Sequence, residues 1–211
     1  MDEPPRDCAL CPRLAAFRAK NASAFPDYFN APVPSFGAQD ARLLIVGLAP
    51  GLHGANRTGR PFTGDWAGDL LYATLLKHGL ARGVYDERAD DGLQLVHCMI
   101  TNAVRCVPPE NKPLPAEIKT CRQFLSATIG AMAHLHAILA LGKIAHDSVC
   151  DALAARKSAH PFRHGAQYEI GTLKLVSSYH CSRYNTNTGV LTEAMFDAVV
   201  KQAKLAAMPA I

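Results

Sequence analysis

A chain of 211 residues with 49% hydrophobic and 19% charged side chains can bury a core, which excludes a disordered or fibrous protein. The formal net charge of +4 is compatible with nucleic acid but too modest to establish it. No apolar run approaches the roughly 18–20 residues that span a bilayer. The acidic, proline-rich start MDEPPRDCAL does not read as a secretory signal, so a cytoplasmic protein without membrane contact is expected.

In chain order, residues 1–35 form an N-terminal segment that carries Cys8 and Cys11 as a C-x2-C pair and a helix expected over Pro12–Asn21. Phe25–Phe36 is aromatic and proline-rich and is expected to be extended, without a strand. Leu43–Gly47 is a short apolar run that reads as a buried parallel strand. A loop follows, punctuated by Gly51, Gly54, Gly59 and Gly64 and by Pro50 and Pro61. A helix is then expected over Trp66–Leu80, with Trp66, Leu70, Leu71, Thr74 and Leu75 at helical spacing. Leu93–Thr101 reads as the second strand. Pro115–Met132 reads as a helix, with Pro115 suited to its first turn and Glu117 favouring its N-terminus. His136–Leu141 is the third strand, Gly142–Arg156 a helix, Leu173–Tyr179 the fourth strand and Val190–Ala206 the last helix.

Strands alternating with helices predict an α/β fold in one domain spanning residues 1–211: three layers, α/β/α, around a four-stranded, mainly parallel central sheet. The glycine loop, the segment Asn102–Pro109 and the segment His180–Asn185 all follow carboxyl ends of such strands. They should therefore share the sheet edge at which open α/β folds bind ligands.

Seven cysteines are an odd number, which argues for a metal site plus spare thiols and against a disulfide framework. Cys8 and Cys11 with Cys106 and Cys121 supply four thiolates, a set that suits zinc or an iron–sulfur cluster. Spacing alone does not choose between them. Cys98 and Cys150 are expected in the core. Cys181 beside His180 would be a poor nucleophile pair, because neighbours on an extended segment point apart.

The glycine loop holds the series Gly47-Leu48-Ala49-Pro50-Gly51 and Thr58-Gly59-Arg60-Pro61-Phe62-Thr63-Gly64-Asp65. It resembles the first motif of the uracil-DNA glycosylase superfamily. Thr101–Pro109 with Asn111-Lys112-Pro113 resembles the second segment of its iron–sulfur members, and Ser178-Tyr179-His180 with Asn185-Thr186 resembles the terminal histidine motif. Leu48-Ala49, where the fourth family carries a glutamate, makes the chain similar to the fifth. One departure is Cys181, where a proline commonly follows the histidine.

The resemblance implies a monofunctional enzyme that removes uracil, and also deaminated purines such as hypoxanthine, from double-stranded DNA. It implies a [4Fe-4S] cluster on the four cysteines and substrate contacts from Gly47, Ala49, Gly51, Phe62, Asn102 and Asn111. A base inside a duplex must be extruded before it can be attacked. Phe62 offers a stacking face, the Asn102 amide a match for the base edge, and His180 a donor to the departing base. Water activation is open, since Ala49 occupies the slot of the usual carboxylate. Asp65 or Asn56 could serve, and Asp65 could equally cap the following helix. The loop from Cys181 to Asn187, with Ser182, Arg183, Tyr184 and Asn185, is expected to enter the minor groove, although Asn185 could instead brace His180. Arg57, Lys112 and Arg105 are candidate phosphate contacts. A non-catalytic damage-binding module and an iron–sulfur electron carrier are the alternatives, and a monomer is expected.

Overall fold

The computed structural model describes residues 2–208, so Met1 and residues 209–211 of the expected domain lie outside the described residues. The strands are β1 (Phe36–Gly37), β2 (Leu43–Gly47), β3 (Ala81–Arg82), β4 (Gln94–Leu95), β5 (Cys98–Asn102), β6 (Ala137–Leu141), β7 (Gln167–Ile170) and β8 (Leu173–Ser178). The helices are α1 (Pro12–Ala24), α2 (Ala55–Thr58), α3 (Trp66–Lys77), α4 (Pro115–Ala131), α5 (Lys143–Ala152), α6 (Arg183–Asn187) and α7 (Glu193–Ala207).

The main sheet runs in the order β1-β5-β2-β6-β8-β7. Its centre is the expected parallel set, β5, β2, β6 and β8. Two short antiparallel strands, β1 and β7, extend it at the edges. Residues 25–36 therefore do end in a strand, whose two residues are too few to leave an alternating pattern. The expected strand 93–101 is divided. His97 adopts a left-handed φ of 56°, which separates β4 from β5. The first piece pairs with β3 in a separate two-stranded ribbon.

The central strands are continuous apolar runs because both faces are covered. Alternate residues sort cleanly. Leu43, Ile45, Ile100, Leu139 and Val176 pack with Leu71, Leu75, Phe196, Val199 and Val200 of α3 and α7. Leu44, Val46, Met99, Ile138 and Leu175 pack on the opposite face with Leu125 of α4 and with Ala145 and Val149 of α5. A two-residue period read against two helical layers gives the three-layer sandwich. A third cluster, Leu14, Val104, Cys106, Cys121 and Phe124, ties α1 to the segment after β5.

Helix starts follow local chemistry. Asp65 caps α3 by accepting from Gly68 N at 3.2 Å, and Thr192 caps α7 by accepting from Met195 N at 3.2 Å. Glu117 Oε2 accepts from Leu114 N at 2.7 Å at the start of α4 and also takes Arg13. No helix among the described residues is long and apolar enough to cross a membrane.

Candidate active site

Register places Gly47, the last residue of β2, directly beside Asn102, the last residue of β5. The chain leaving β2 returns over this edge and brings Phe62 back on top of it. A Cβ on Gly47 would stand 2.4 Å from Asn102 Oδ1 and 2.5 Å from Phe62 Cζ, so only glycine allows the ring and the amide to meet there. Phe62 itself has a left-handed φ of 53°, and its ring stacks on His180 with centroids 5.9 Å apart and planes at 25°. A side chain on Gly68 would collide with the Phe62 carbonyl at 1.8 Å, so the first turn of α3 sits against the backbone that presents the ring.

Phe62, Asn102 and His180 line one cleft together with Asp65, Ala49 and Gly51, and its wall is completed by Ala55 and Ala67. The cleft holds about 30 Å³, space for roughly two waters. The Asn102 amide makes no side-chain hydrogen bond among the described residues, so its donor and acceptor are both available. The His180 imidazole also has no hydrogen-bonding partner there, and burial pushes its pKa down to about 4, so the ring is neutral at physiological pH. Asp65 lies over the glycine loop, where a Cβ on Gly54 would stand 2.4 Å from its Oδ2. Burial raises its pKa, and the Gly68 and Ala67 amides partly offset that rise. Asp65 is thus both a helix cap and a cleft carboxylate; the two readings of it are compatible.

Other expected residues lie elsewhere. Asn56 does not line the cleft. The single turn of α2 directs it inward, where Nδ2 donates to Asn30 Oδ1 at 3.0 Å and Oδ1 has no partner. Asn111 is exposed on the 3-10 turn Pro109–Asn111 and does not reach the cleft. Arg105 is withdrawn from phosphate contact: it is 1% exposed and donates to Glu3, Ser35 and Thr128. Its guanidinium is spent bracing the N-terminal segment. Arg57 donates through Nε to His53 O at 2.8 Å and packs over Gly64. Lys112 remains exposed, 3.5 Å from Glu110.

The segment after His180 is a short helix where a loop was expected. Ser182 caps α6 by accepting from Asn185 N at 3.4 Å, and Asn185 Nδ2 donates to His180 O at 2.8 Å. Asn185 therefore braces the histidine backbone. Tyr184 is 74% exposed, and Arg183 lies over the Trp66 ring at 5.8 Å. Trp66 is 46% exposed, contrary to its reading as part of the apolar helix face. Sequence reasoning missed Ala55 and Ala67, small residues whose role as cleft wall leaves no signature. It also missed Asp91, whose carboxylate pairs with buried Arg60 at 2.7 Å and anchors the glycine loop.

Cys8, Cys11, Cys106 and Cys121 face one small cavity beside Arg18, and all are free thiols. Arg18 Nη1 donates to Cys106 Sγ at 2.9 Å and the Arg105 amide to Cys121 Sγ at 3.3 Å. Burial raises the Cys106 and Cys121 thiols, the latter to about 12, and neighbouring sulfurs add to the rise. Four thiolates could coexist there only around strong positive charge, which is the environment a cluster supplies. Among the described residues no three His, Cys, Asp or Glu side chains are gathered closely enough to hold one metal ion.

The family profile described as the uracil DNA glycosylase superfamily matches residues 34–204. The chain is 47% identical over 203 residues to a type-5 uracil-DNA glycosylase of Thermus thermophilus, covering 93% of this chain and 92% of the relative. It is 44% identical over 206 residues to a type-5 enzyme of Mycobacterium bovis, covering 93% and 77%. A type-4 uracil-DNA glycosylase of Thermotoga maritima is 32% identical over 173 residues, covering 80% of each chain.

Proposed function

Because the chain belongs to the uracil-DNA glycosylase superfamily, we propose that it is a monofunctional DNA glycosylase of base excision repair. It removes uracil, and other deaminated bases such as hypoxanthine, from double-stranded DNA and leaves an abasic site. The observation that carries this reading is the gathering of Phe62, Asn102, His180 and Asp65 around one cleft at the carboxyl edge of the sheet.

In this reading the extruded base stacks on Phe62. Asn102 accepts from the base N–H and donates to the adjacent carbonyl. Uracil presents that pair as N3–H and O4, hypoxanthine as N1–H and O6, so one amide reads both. Neutral His180 donates to the uracil O2, where negative charge gathers as the C1′–N1 bond breaks and its electron pair leaves with the base. Asp65, ionised, accepts a proton from the water that bonds to C1′. The raised pKa of Asp65 makes it a better base than an exposed carboxylate.

Cys8, Cys11, Cys106 and Cys121 would hold a [4Fe-4S] cluster. When bound it would supply a structural tie, fastening the N-terminal segment to the loop between β5 and α4. Arg57, Lys112, Ser182, Arg183 and Tyr184 face the DNA in this reading, Asn185 holds His180 from behind, and α6 enters the minor groove. The protein acts as a monomer in the cytoplasm, where free thiols persist.

The test uses a labelled duplex with one uracil, followed by alkali. Strand cleavage at the uracil supports the enzyme; intact strands with retained binding would make the protein a damage-recognition module.

A further inference from the structure

Helix α6 has five residues, far short of the length at which a helix holds itself together. Its position must come from contacts to the rest of the protein. Two of these reach the first turn of α3. Trp66 Nε1 donates to Thr186 Oγ1 at 2.9 Å, and the indole face lies under the Arg183 guanidinium. On the other side of α6, Cys181 is fully buried, and its Sγ donates to Ala67 O at 3.4 Å. The same turn of α3 contributes Asp65 and Ala67 to the cleft. Three consecutive residues thus touch the cleft carboxylate position, the tip of α6 and the residue after His180.

We propose that Trp66 is a positioning residue that seats α6 on the first turn of α3, so that insertion of Tyr184 into the duplex is geometrically coupled to the base cleft. The indole is half-exposed, so its burial is not what the core requires. The Trp66–Thr186 bond spans 120 positions of sequence and fixes the register between wedge and cleft. Cys181 serves the same end from within the fold, its buried thiol holding the residue after His180 to Ala67 O. This inference rests on reading α6 as the element that enters DNA.

The experiment uses duplexes with 2-aminopurine beside uracil, and the full-length protein with Trp66→Phe, Thr186→Val or both. Trp66→Phe keeps the ring beneath Arg183 and deletes the donor, and Thr186→Val deletes the acceptor together with the hydroxyl's own bonds to Ser182 O and Arg183 O. The 2-aminopurine fluorescence rise on binding should fall, and single-turnover excision from a paired uracil should slow about 2- to 10-fold, the range of one neutral hydrogen bond. The double variant should be no worse than Thr186→Val alone. Excision of a uracil held in an unpaired bubble should change less than twofold, since extrusion there needs little help. Equal losses on paired and bubble uracil would mark a merely structural role and overturn the inference. Tyr184→Ala is the control for the underlying reading. If it leaves fluorescence and excision unchanged, α6 is not the wedge. If it impairs both while Trp66→Phe and Thr186→Val do not, the wedge stands and the role of Trp66 falls.

Discussion

Asp65 is the residue at which structure and chemistry are most closely joined. Its carboxylate caps α3 and faces the cleft, and burial raises its pKa. A group whose folded pKa is raised is stabilising only while protonated; that contribution is lost as pH rises through the folded pKa. Ionising Asp65 is therefore a cost to folding. Asparagine caps a helix about as well as aspartate. Asp65→Asn should accordingly keep or raise the melting temperature at pH 7 while slowing single-turnover excision roughly 10²–10⁴-fold. A lower melting temperature with an unchanged rate would reduce Asp65 to a cap.

His180 has the opposite sign. Its folded pKa is pushed to about 4, below the ordinary 6.5. The unfolded state takes up the proton first, so the stability associated with the neutral ring is complete above pH 6.5 and is lost as pH falls towards 4. Ring-proton NMR should show His180 titrating well below the exposed histidines. Titration near 6.5 would remove the case for a neutral donor. His180→Ala should slow excision about 10²–10³-fold, the cost of one oxyanion donor.

At the scale of elements, the loop between β2 and α3 works through close approach. Gly47 and Gly68 have no room for a Cβ, and what they would strike is the Asn102 amide, the Phe62 ring and the Phe62 carbonyl. Gly47→Ala should therefore impair substrate binding and turnover together, by more than its effect on the midpoint of urea unfolding suggests. A variant with normal kinetics would show that the ring can move without loss. The glycines and prolines of this loop announced a functional turn in sequence. The inward course of α2, which buries Asn56, did not show, because a four-residue helix has too few positions to display a period. Likewise α6 reads as loop in the sequence: its polar residues have no apolar face, and Ser182 as a cap is its only local signal.

At the scale of the molecule, the N-terminal segment is tied to the sheet through the cysteine cavity, the Arg105–Glu3 pair at 2.7 Å and the Ser35–Thr101 hydroxyl bond at 3.0 Å, among other contacts. Cys106 lies four positions beyond Asn102, so the cavity and the cleft share one short stretch of backbone. Cys106→Ser should lower bound iron, bleach the visible absorption and destabilise the N-terminal segment to proteolysis. Full iron content with unchanged protease resistance would show that this cysteine is not a ligand. The parallel order β5-β2-β6-β8 brings the carboxyl ends of β2, β5 and β8 to one edge, with Gly142 after β6 packed 3.4 Å from His180 through its would-be Cβ.

The α/β class, the four central strands, the family resemblance and the cleft residues Phe62, Asn102 and His180 are legible in the residues alone. Each of these is written in local runs: apolar strands, glycine punctuation and short motifs at strand ends. The edge strands, the break at His97, the burial of Arg105 and Asn56, and the meeting of Trp66 with Thr186 emerge only in the packed molecule. Those outcomes depend on which partner a side chain finds across a distance in sequence. A guanidinium or an indole has the same local signature whether it faces a phosphate, a glutamate or another helix.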